Sequence, residues 1–248
     1  MLSTDAFIQR LEIEVACKTL YIKGGFGLRL DAKGKQRAID SYAYNAKRAD
    51  KINAMPNNSF GFDCIGTIKG ALWGFTGDTS KVYGGAVYKS NDVPDVNELG
   101  MFKLCYDVSA DFSNIQRGEY LYMKGHCGTY IGSGRVIEST PAGKDGVQIT
   151  DISFQKWTHH AKLPFVKYED NKDIVIAKPT LKRGSKGMQV YYLQQDLNAL
   201  GASLETDGIF GAFTDAEVRK FQRAYNLAVD GIYGPRSYAK MREVLTWH

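Results

Sequence analysis

The stretch Gly61-Phe62-Asp63-Cys64-Ile65-Gly66 decides how most of this chain is interpreted. From Cys64 onwards apolar residues recur with helical spacing, and a polar residue such as Asp63 directly before them is typical of a helix N-cap. We therefore predict that Cys64 lies in the first turn of a largely buried helix. Unpaired N–H groups and the helix dipole at that position favour the thiolate, which is the nucleophilic form of cysteine.

A histidine and a glutamate follow this cysteine at some distance along the chain. His126 lies in the strand-like run Gly125-His126-Cys127-Gly128-Thr129-Tyr130-Ile131-Gly132, and Glu138 ends the run Arg135-Val136-Ile137-Glu138. A cysteine, a histidine base and a polar residue that orients the base are the components of a cysteine hydrolase. The opposing interpretation is an inert apolar cysteine and a histidine with only structural hydrogen bonds.

The same stretches resemble the NlpC/P60-type cell-wall peptidases of the papain-like superfamily, above all those of phage endolysins. The resemblance runs from about Lys18 to Tyr168 and includes Tyr21-Ile22-Lys23-Gly24-Gly25-Phe26-Gly27 and Val136-Ile137-Glu138-Ser139-Thr140-Pro141. It implies an α+β fold with an antiparallel sheet, helices and the nucleophilic cysteine at a helix N-terminus. We expect the protein to need no metal or other cofactor.

Carried over by position, the resemblance implies that Cys64 is the nucleophile, His126 the base and Glu138 the residue that orients the base. Ile65 departs from the family pattern, in which serine commonly follows the nucleophile, and Glu138 stands where many members have histidine. The second departure keeps the chemistry, because a carboxylate can also accept the imidazole N–H.

Two further residues are candidates for substrate binding. By resemblance, Tyr21 lines the substrate pocket and holds the polar end of a stem peptide, although an aromatic core residue is an equal alternative. Asp63 is a candidate to contact a substrate ammonium group in addition to capping the helix, and capping is the favoured role.

The strand register tests this triad. If Ser133-Gly134 formed a regular two-residue hairpin loop, His126 and Glu138 would face opposite sides of the sheet. A bulge or an odd-length loop would bring both side chains to one face, and glycine at positions 132 and 134 permits the positive φ that such a turn needs. The triad therefore requires an irregular turn at residues 132–134.

Composition narrows the function classes. The 248 residues carry a net charge of +5, which suits an anionic bacterial wall but also fits simple solubility. No basic stripe interleaved with aromatic residues favours nucleic-acid binding, and no apolar run is long enough to insert in a membrane. Residues 1–20 predict an amphipathic helix and not a signal peptide. We therefore expect synthesis in the cytoplasm and action on the cell wall after release.

The four cysteines are Cys17, Cys64, Cys105 and Cys127, and they show no CxxC spacing, so free thiols are expected. His126-Cys127 and His159-His160 lack the repeated ligand spacing of structural zinc, and no metal site is predicted.

A second unit follows a charged stretch with turn-forming residues. We predict a linker over residues 169–181 between a catalytic domain, 1–168, and a small all-α domain, 182–248. The later part contains the near-repeat Thr206-Asp207-Gly208-Ile209-Phe210-Gly211 and Val229-Asp230-Gly231-Ile232-Tyr233-Gly234. Each Asp-Gly pair predicts a tight turn that leads into a helix. This segment resembles a peptidoglycan-binding domain of the three-helix type.

Together, these resemblances predict a peptidoglycan hydrolase that cleaves an amide bond of the peptide stem through a thioester. An N-acetylmuramoyl-L-alanine amidase with the same triad and a non-catalytic wall-binding protein remain alternatives, and an acyltransferase is a weaker one. The expected partner is bacterial peptidoglycan, and the sequence makes no prediction of oligomeric state.

Overall fold

The structure, a computed structural model, describes residues 1–168 and 180–245. The chain divides into two compact units, Met1–Glu169 and Asp170–His248. Residues 169–179 of the predicted linker lie outside the described residues.

The N-terminal unit has the mixed α+β composition that the sequence predicts. Its first half contains β1 (Leu2–Ser3), α1 (Thr4–Ala16), β2 (Thr19–Tyr21), β3 (Phe26–Arg29), α2 (Ala32–Ser41), α3 (Ala43–Ala46), α4 (Ala49–Ala54), β4 (Phe60–Phe62) and α5 (Cys64–Leu72). Its second half contains α6 (Glu98–Leu104), β5 (Tyr106–Ser109), β6 (Tyr120–Met123), β7 (His126–Gly132), β8 (Arg135–Thr140), β9 (Gly146–Asp151), β10 (His159–Lys162) and β11 (Val166–Lys167).

The largest sheet is antiparallel and has the strand order β5-β10-β6-β7-β8-β9. A smaller sheet has the order β2-β4-β3, in which β2 and β4 run parallel, and β1 pairs with β11. Helix α5 contacts β3, β7 and β8, and all nine of its residues are buried. An entirely buried helix holds its first residue in a fixed place, and that residue is Cys64.

Helix α1 is shorter than the amphipathic helix predicted for residues 1–20. Ser3 caps its N-terminus by accepting the N–H of Ala6, and residues 19–21 form β2. Its apolar face buries Phe7, Ile8 and Leu11, and the same face also buries Glu14.

The hairpin of β7 and β8 is irregular at its turn. Tyr130 pairs with Val136, but Gly132 pairs with Arg135, so the two strands fall out of step by one residue and Ile131 is the extra residue of a bulge. The next three residues, 132–134, all have positive φ. Side chains before the bulge are therefore displaced by one position relative to β8.

The C-terminal unit contains three helices within its described residues, α7 (Met188–Ala199), α8 (Ala212–Ala224) and α9 (Pro235–Leu245). Its core includes Val190, Leu193, Leu197, Val218 and Phe221. Leu181, the last residue of the predicted linker, also belongs to this core and pairs with Tyr233. The ordered helical unit therefore includes residue 181.

Each repeated block of this unit is held by one buried glutamine. The amide nitrogen of Gln194 donates to Asp207 and to the carbonyl of Ile209, while its amide oxygen accepts the N–H of Gly208. Gln222 makes the same bonds to the equivalent residues of the second block, Asp230, Ile232 and Gly231. The two blocks therefore repeat the same hydrogen bonds as well as the same residues. Gly208 and Gly231 also share the same positive φ of 72°.

Candidate active site

Cys64 is the first residue of α5, and 7% of its surface is exposed. Asp63 caps the helix, since its Oδ1 accepts the N–H of Gly66 at 2.6 Å. Its Oδ2 accepts the N–H of Gly24 at 2.7 Å, which attaches the turn after β2 to the start of α5. The predicted placement of Cys64 and the capping role of Asp63 are both present.

His126 and Glu138 lie on the same face of the sheet because of the bulge in β7. His126 Nε2 is 2.5 Å from Glu138 Oε2. The other ring nitrogen, Nδ1, is therefore the one available to Cys64, which helps to raise the pKa of His126. The structure thus brings together the three residues that the sequence nominates.

Glu138 is fully buried, and its carboxylate is held by two donors that sequence reasoning did not identify. Thr150 Oγ1 donates to Oε1 at 2.5 Å, and Gln155 Nε2 donates to Oε2 at 2.9 Å. Both residues follow the triad in the sequence and reach it through β9 and the loop after it. The alternation of side chains along a strand could have identified Thr150. Gln148 of β9 pairs with Glu138, and Thr150, two residues further on, points to the same face of the sheet.

An aromatic ring covers the candidate base. The rings of Trp157 and His126 are stacked, with centroids 5.4 Å apart and planes inclined by 18°. The Trp157 side chain also lies against Gly128, where an added Cβ would be 3.2 Å from the indole ring. Stacking and the bond to Glu138 fix the imidazole plane from two directions.

The surroundings of Cys64 and His126 favour a thiolate and an imidazolium. A hydrogen bond from the Cys127 thiol, supported by His126, outweighs burial and lowers the pKa of Cys64 to about 5. Burial acts to lower the pKa of His126, but its hydrogen bonds with Cys64 and Glu138 raise that pKa to about 9. Between these values the pair is ionised, which is the nucleophilic form of a cysteine hydrolase.

The other three thiols are held in the protonated form. Burial raises the pKa of Cys17 to about 11 and that of Cys105 to about 12. Burial and the neighbouring Cys64 raise the pKa of Cys127 well above its ordinary value. Cys64 is therefore the one of the four thiols whose pKa is lowered.

The two candidate substrate-binding residues lie beside Cys64. Tyr21 pairs with Phe62 on the neighbouring strand, and burial and the charges of Cys64 and Asp63 raise the pKa of its hydroxyl. Tyr21 is half-buried and packs edge-on against Tyr44, at 5.9 Å between centroids. Burial and the charge of Cys64 raise the pKa of Asp63 to about 7. Tyr21 is thus not fully buried, and its contact with a substrate stays a prediction.

Within residues 1–168 and 180–245, no group of three or more His, Cys, Asp or Glu side chains is placed to hold a metal ion. None of the helices in the described part of the chain combines the length and the apolar character needed to cross a membrane.

Comparison with known families assigns the helical unit. Residues 186–241 match the family described as "Putative peptidoglycan binding domain". The helical unit accordingly carries a match to a peptidoglycan-binding family.

A 68-residue stretch is 44% identical to the zinc D-Ala-D-Ala carboxypeptidase of Streptomyces albus G. It covers 26% of this chain and 27% of that enzyme, so the chain spans about a quarter of the length of this curated relative.

Two solved structures share stretches of similar size. The endolysin of Burkholderia phage AP3 is 41% identical over 25% of this chain and 24% of its own, with a TM-score of 0.25. A fused zinc-dependent amidase/peptidase with a peptidoglycan-binding domain from Clostridium acetobutylicum is 36% identical over 26% of this chain and 29% of its own, also with a TM-score of 0.25.

Proposed function

We propose that this chain is a peptidoglycan hydrolase of the NlpC/P60 type, with a papain-like catalytic domain over residues 1–168 and a wall-binding domain over residues 182–248. The observation that carries the proposal is the contact of Cys64 with His126, which is in turn bonded to the buried Glu138. The peptidoglycan-binding family of the helical unit supports a substrate in the cell wall.

The proposed reaction is hydrolysis of an amide bond in the peptide stem. The Cys64 thiolate attacks the carbonyl carbon, and the imidazolium of His126 gives its proton to the leaving amine, which yields a thioester. His126 then takes a proton from water as the water attacks the thioester, and Cys64 is released. The N–H of Cys64, at the first position of α5, is sited to stabilise the oxyanion in both steps.

Glu138 has a positioning role in this mechanism. Its carboxylate fixes the imidazole with Nε2 towards itself and Nδ1 towards Cys64. Because Thr150 and Gln155 satisfy its remaining hydrogen-bonding capacity, the buried charge is stabilised without a further cation. Tyr21 and Asp63 are proposed to contact the substrate near the attacked carbonyl.

Mass spectrometry of muropeptides released from purified cell wall tests the proposal. The wild-type chain should release fragments with new amino-acid N-termini, and the position of the new terminus identifies the bond that is cleaved. The Cys64→Ala variant should still sediment with the wall but release nothing above background. Release by this variant at more than roughly a thousandth of the wild-type rate would exclude cysteine catalysis.

A further inference from the structure

Two free thiols lie together at the start of α5. Cys64 is the first residue of that helix, Cys127 lies on β7, and α5 packs against β7. The two side chains are close enough for hydrogen bonding between their sulfur groups. The proposed hydrolysis forms a covalent bond only to Cys64, so the sulfur of Cys127 has no covalent role in it.

The two thiols differ in their access to solvent. Cys64 is 7% exposed, whereas Cys127 is 0% exposed. A small oxidant in solution therefore reaches Cys64 first. Because protein encloses Cys127, the sulfur next to it with which it can react is that of Cys64.

The two thiols also differ in ionisation. The neighbouring Cys127 and His126 lower the pKa of Cys64 to about 5, and the thiolate is the form of cysteine that peroxides oxidise. Burial and the thiolate of Cys64 keep Cys127 protonated. Oxidation of Cys64 removes that negative charge, so Cys127 becomes easier to ionise once its own sulfur is needed.

We propose that Cys64 and Cys127 form a redox pair, in which hydrogen peroxide oxidises Cys64 and Cys127 converts the product into a reversible disulfide. In the first step the Cys64 thiolate attacks one peroxide oxygen and the O–O bond breaks. The departing hydroxide takes the proton of the His126 imidazolium and leaves as water, and Cys64 becomes a sulfenic acid.

The second step forms the disulfide. The sulfur of Cys127 attacks that of Cys64, the S–O bond breaks, and the thiol proton leaves with the hydroxide as a second water. The two thiols together lose two electrons, and the peroxide is reduced to two water molecules. A dithiol reverses the reaction by exchange and regenerates both thiols.

The disulfide removes the nucleophile without destroying it. A sulfenic acid that has no neighbouring thiol is oxidised further to sulfinic acid, which thiols do not reduce. The consequence for hydrolysis, a loss that a dithiol restores, rests on the proposed function. The disulfide itself depends only on the two thiols.

Peptide mapping of the full-length chain tests the redox pair. The protein is treated with a small molar excess of hydrogen peroxide, remaining thiols are blocked with N-ethylmaleimide, and trypsin digestion follows without reductant. Cleavage after lysine and arginine places each cysteine in a different peptide, with Cys64 in residues 52–69 and Cys127 in residues 125–135. We expect these two peptides to be joined, with a mass two hydrogen atoms below their sum, and to separate in dithiothreitol.

Variants identify the thiol that forms the disulfide. In Cys127→Ser and Cys127→Ala, Cys64 should instead be recovered as a sulfinic acid that dithiothreitol does not reduce. Cys105→Ser is the matched control, because it removes a thiol that donates to the carbonyl of Met101 at 3.3 Å, and it should retain the joined peptides. Circular dichroism shows whether each variant is folded.

The outcomes separate the redox pair from the hydrolase. Recovery of wild-type Cys64 as the blocked thiol, as a sulfinic acid, or joined to Cys17 or Cys105 overturns the redox pair. Joined peptides in a chain that releases no muropeptides support the redox pair and overturn the hydrolase. Hydrolysis that peroxide abolishes and dithiothreitol does not restore supports the hydrolase and overturns the redox pair.

Discussion

Cys127 lies close enough to Cys64 for hydrogen bonding from its thiol and its backbone N–H to lower the pKa of Cys64. Cys127 is fully buried and adjoins His126 on β7. One dipeptide of that strand therefore supplies both the candidate base and two donors to the candidate nucleophile. Donors of this kind stabilise a thiolate by holding its charge in the absence of water.

Replacing Cys127 should make Cys64 a weaker acid. In Cys127→Ala the thiol donor is lost, so the pKa of Cys64 should rise from about 5 towards neutrality, whereas Cys127→Ser retains an O–H donor and should shift it less. The pH dependence of alkylation of Cys64 by iodoacetamide, read by mass spectrometry, measures this pKa. An unchanged midpoint in Cys127→Ala would show that the Cys127 thiol does not set the acidity of Cys64.

Glu138→Gln should reduce hydrolysis less than His126→Ala. Glutamine can still accept the imidazole N–H but provides no charge, so a loss of roughly ten- to ten-thousand-fold in kcat/KM is expected. The charge of Glu138 also helps to raise the pKa of His126 to about 9, so the alkaline limb of the pH profile should move to lower pH. Full activity of Glu138→Ala would assign the orienting role to another residue.

Glu14→Gln should stabilise the N-terminal unit at neutral pH. Glu14 is fully buried, neither carboxyl oxygen has a hydrogen-bond partner among the described residues, and burial raises its pKa well above the ordinary value. The pKa of this carboxyl group is about 4.3 in the unfolded chain and higher in the folded one. Between these two values Glu14 is protonated only when the protein is folded. The free energy of unfolding of the wild type therefore falls by up to about 1.4 kcal/mol per pH unit as the pH rises.

Urea unfolding at pH 4.5 and at pH 7 measures this difference. The advantage of Glu14→Gln over the wild type should be larger at pH 7, and contributions of Cys64 and His126 cancel because both proteins contain them. Equal differences at the two pH values would mean that Glu14 does not titrate between them.

Residues 1–168 alone should cleave soluble stem peptides about as fast as the full chain and act more weakly on intact wall. All candidate active-site residues lie in this unit, and the helical domain adds effective concentration at a polymer surface but no chemistry. The fragment must keep Tyr168, whose hydroxyl accepts the N–H of Leu163 and donates to the carbonyl of Gly118. A folded fragment that no longer cleaves soluble peptide would show that the helical unit helps to build the site.

The sequence predicts those parts of the site that depend on a few neighbouring residues. An N-cap aspartate and the apolar period after it place Cys64 at a helix start without knowledge of the rest of the chain. The contacts of Glu138 with Thr150 and Gln155 depend on strand pairing and on a loop path, which no short motif encodes. The predicted triad requires an irregularity in the hairpin, because only then do His126 and Glu138 share a face of the sheet. The residue types do not show that the bulge lies at Ile131.

The repeated blocks of the helical unit were visible in the sequence because each turn needs its own Asp-Gly pair. Their attachment to Gln194 and Gln222 was not, because the two glutamines lie on different helices and at different distances from their blocks. Repeated residue types thus predict turns more readily than they predict what holds the turns in place.

The bridge between Leu181 and Tyr233 determines where this domain can be cut for transfer to another enzyme. Leu181 exchanges two backbone hydrogen bonds with Tyr233 of the second block, and the N–H of Gly184 donates to Phe210 of the first. Residues 181–184 therefore bind both repeated blocks of the domain, although the matched family range begins only at residue 186. A chimera joined at residue 186 would lose these hydrogen bonds, so a graft that targets another catalytic domain to the wall should begin ahead of Leu181.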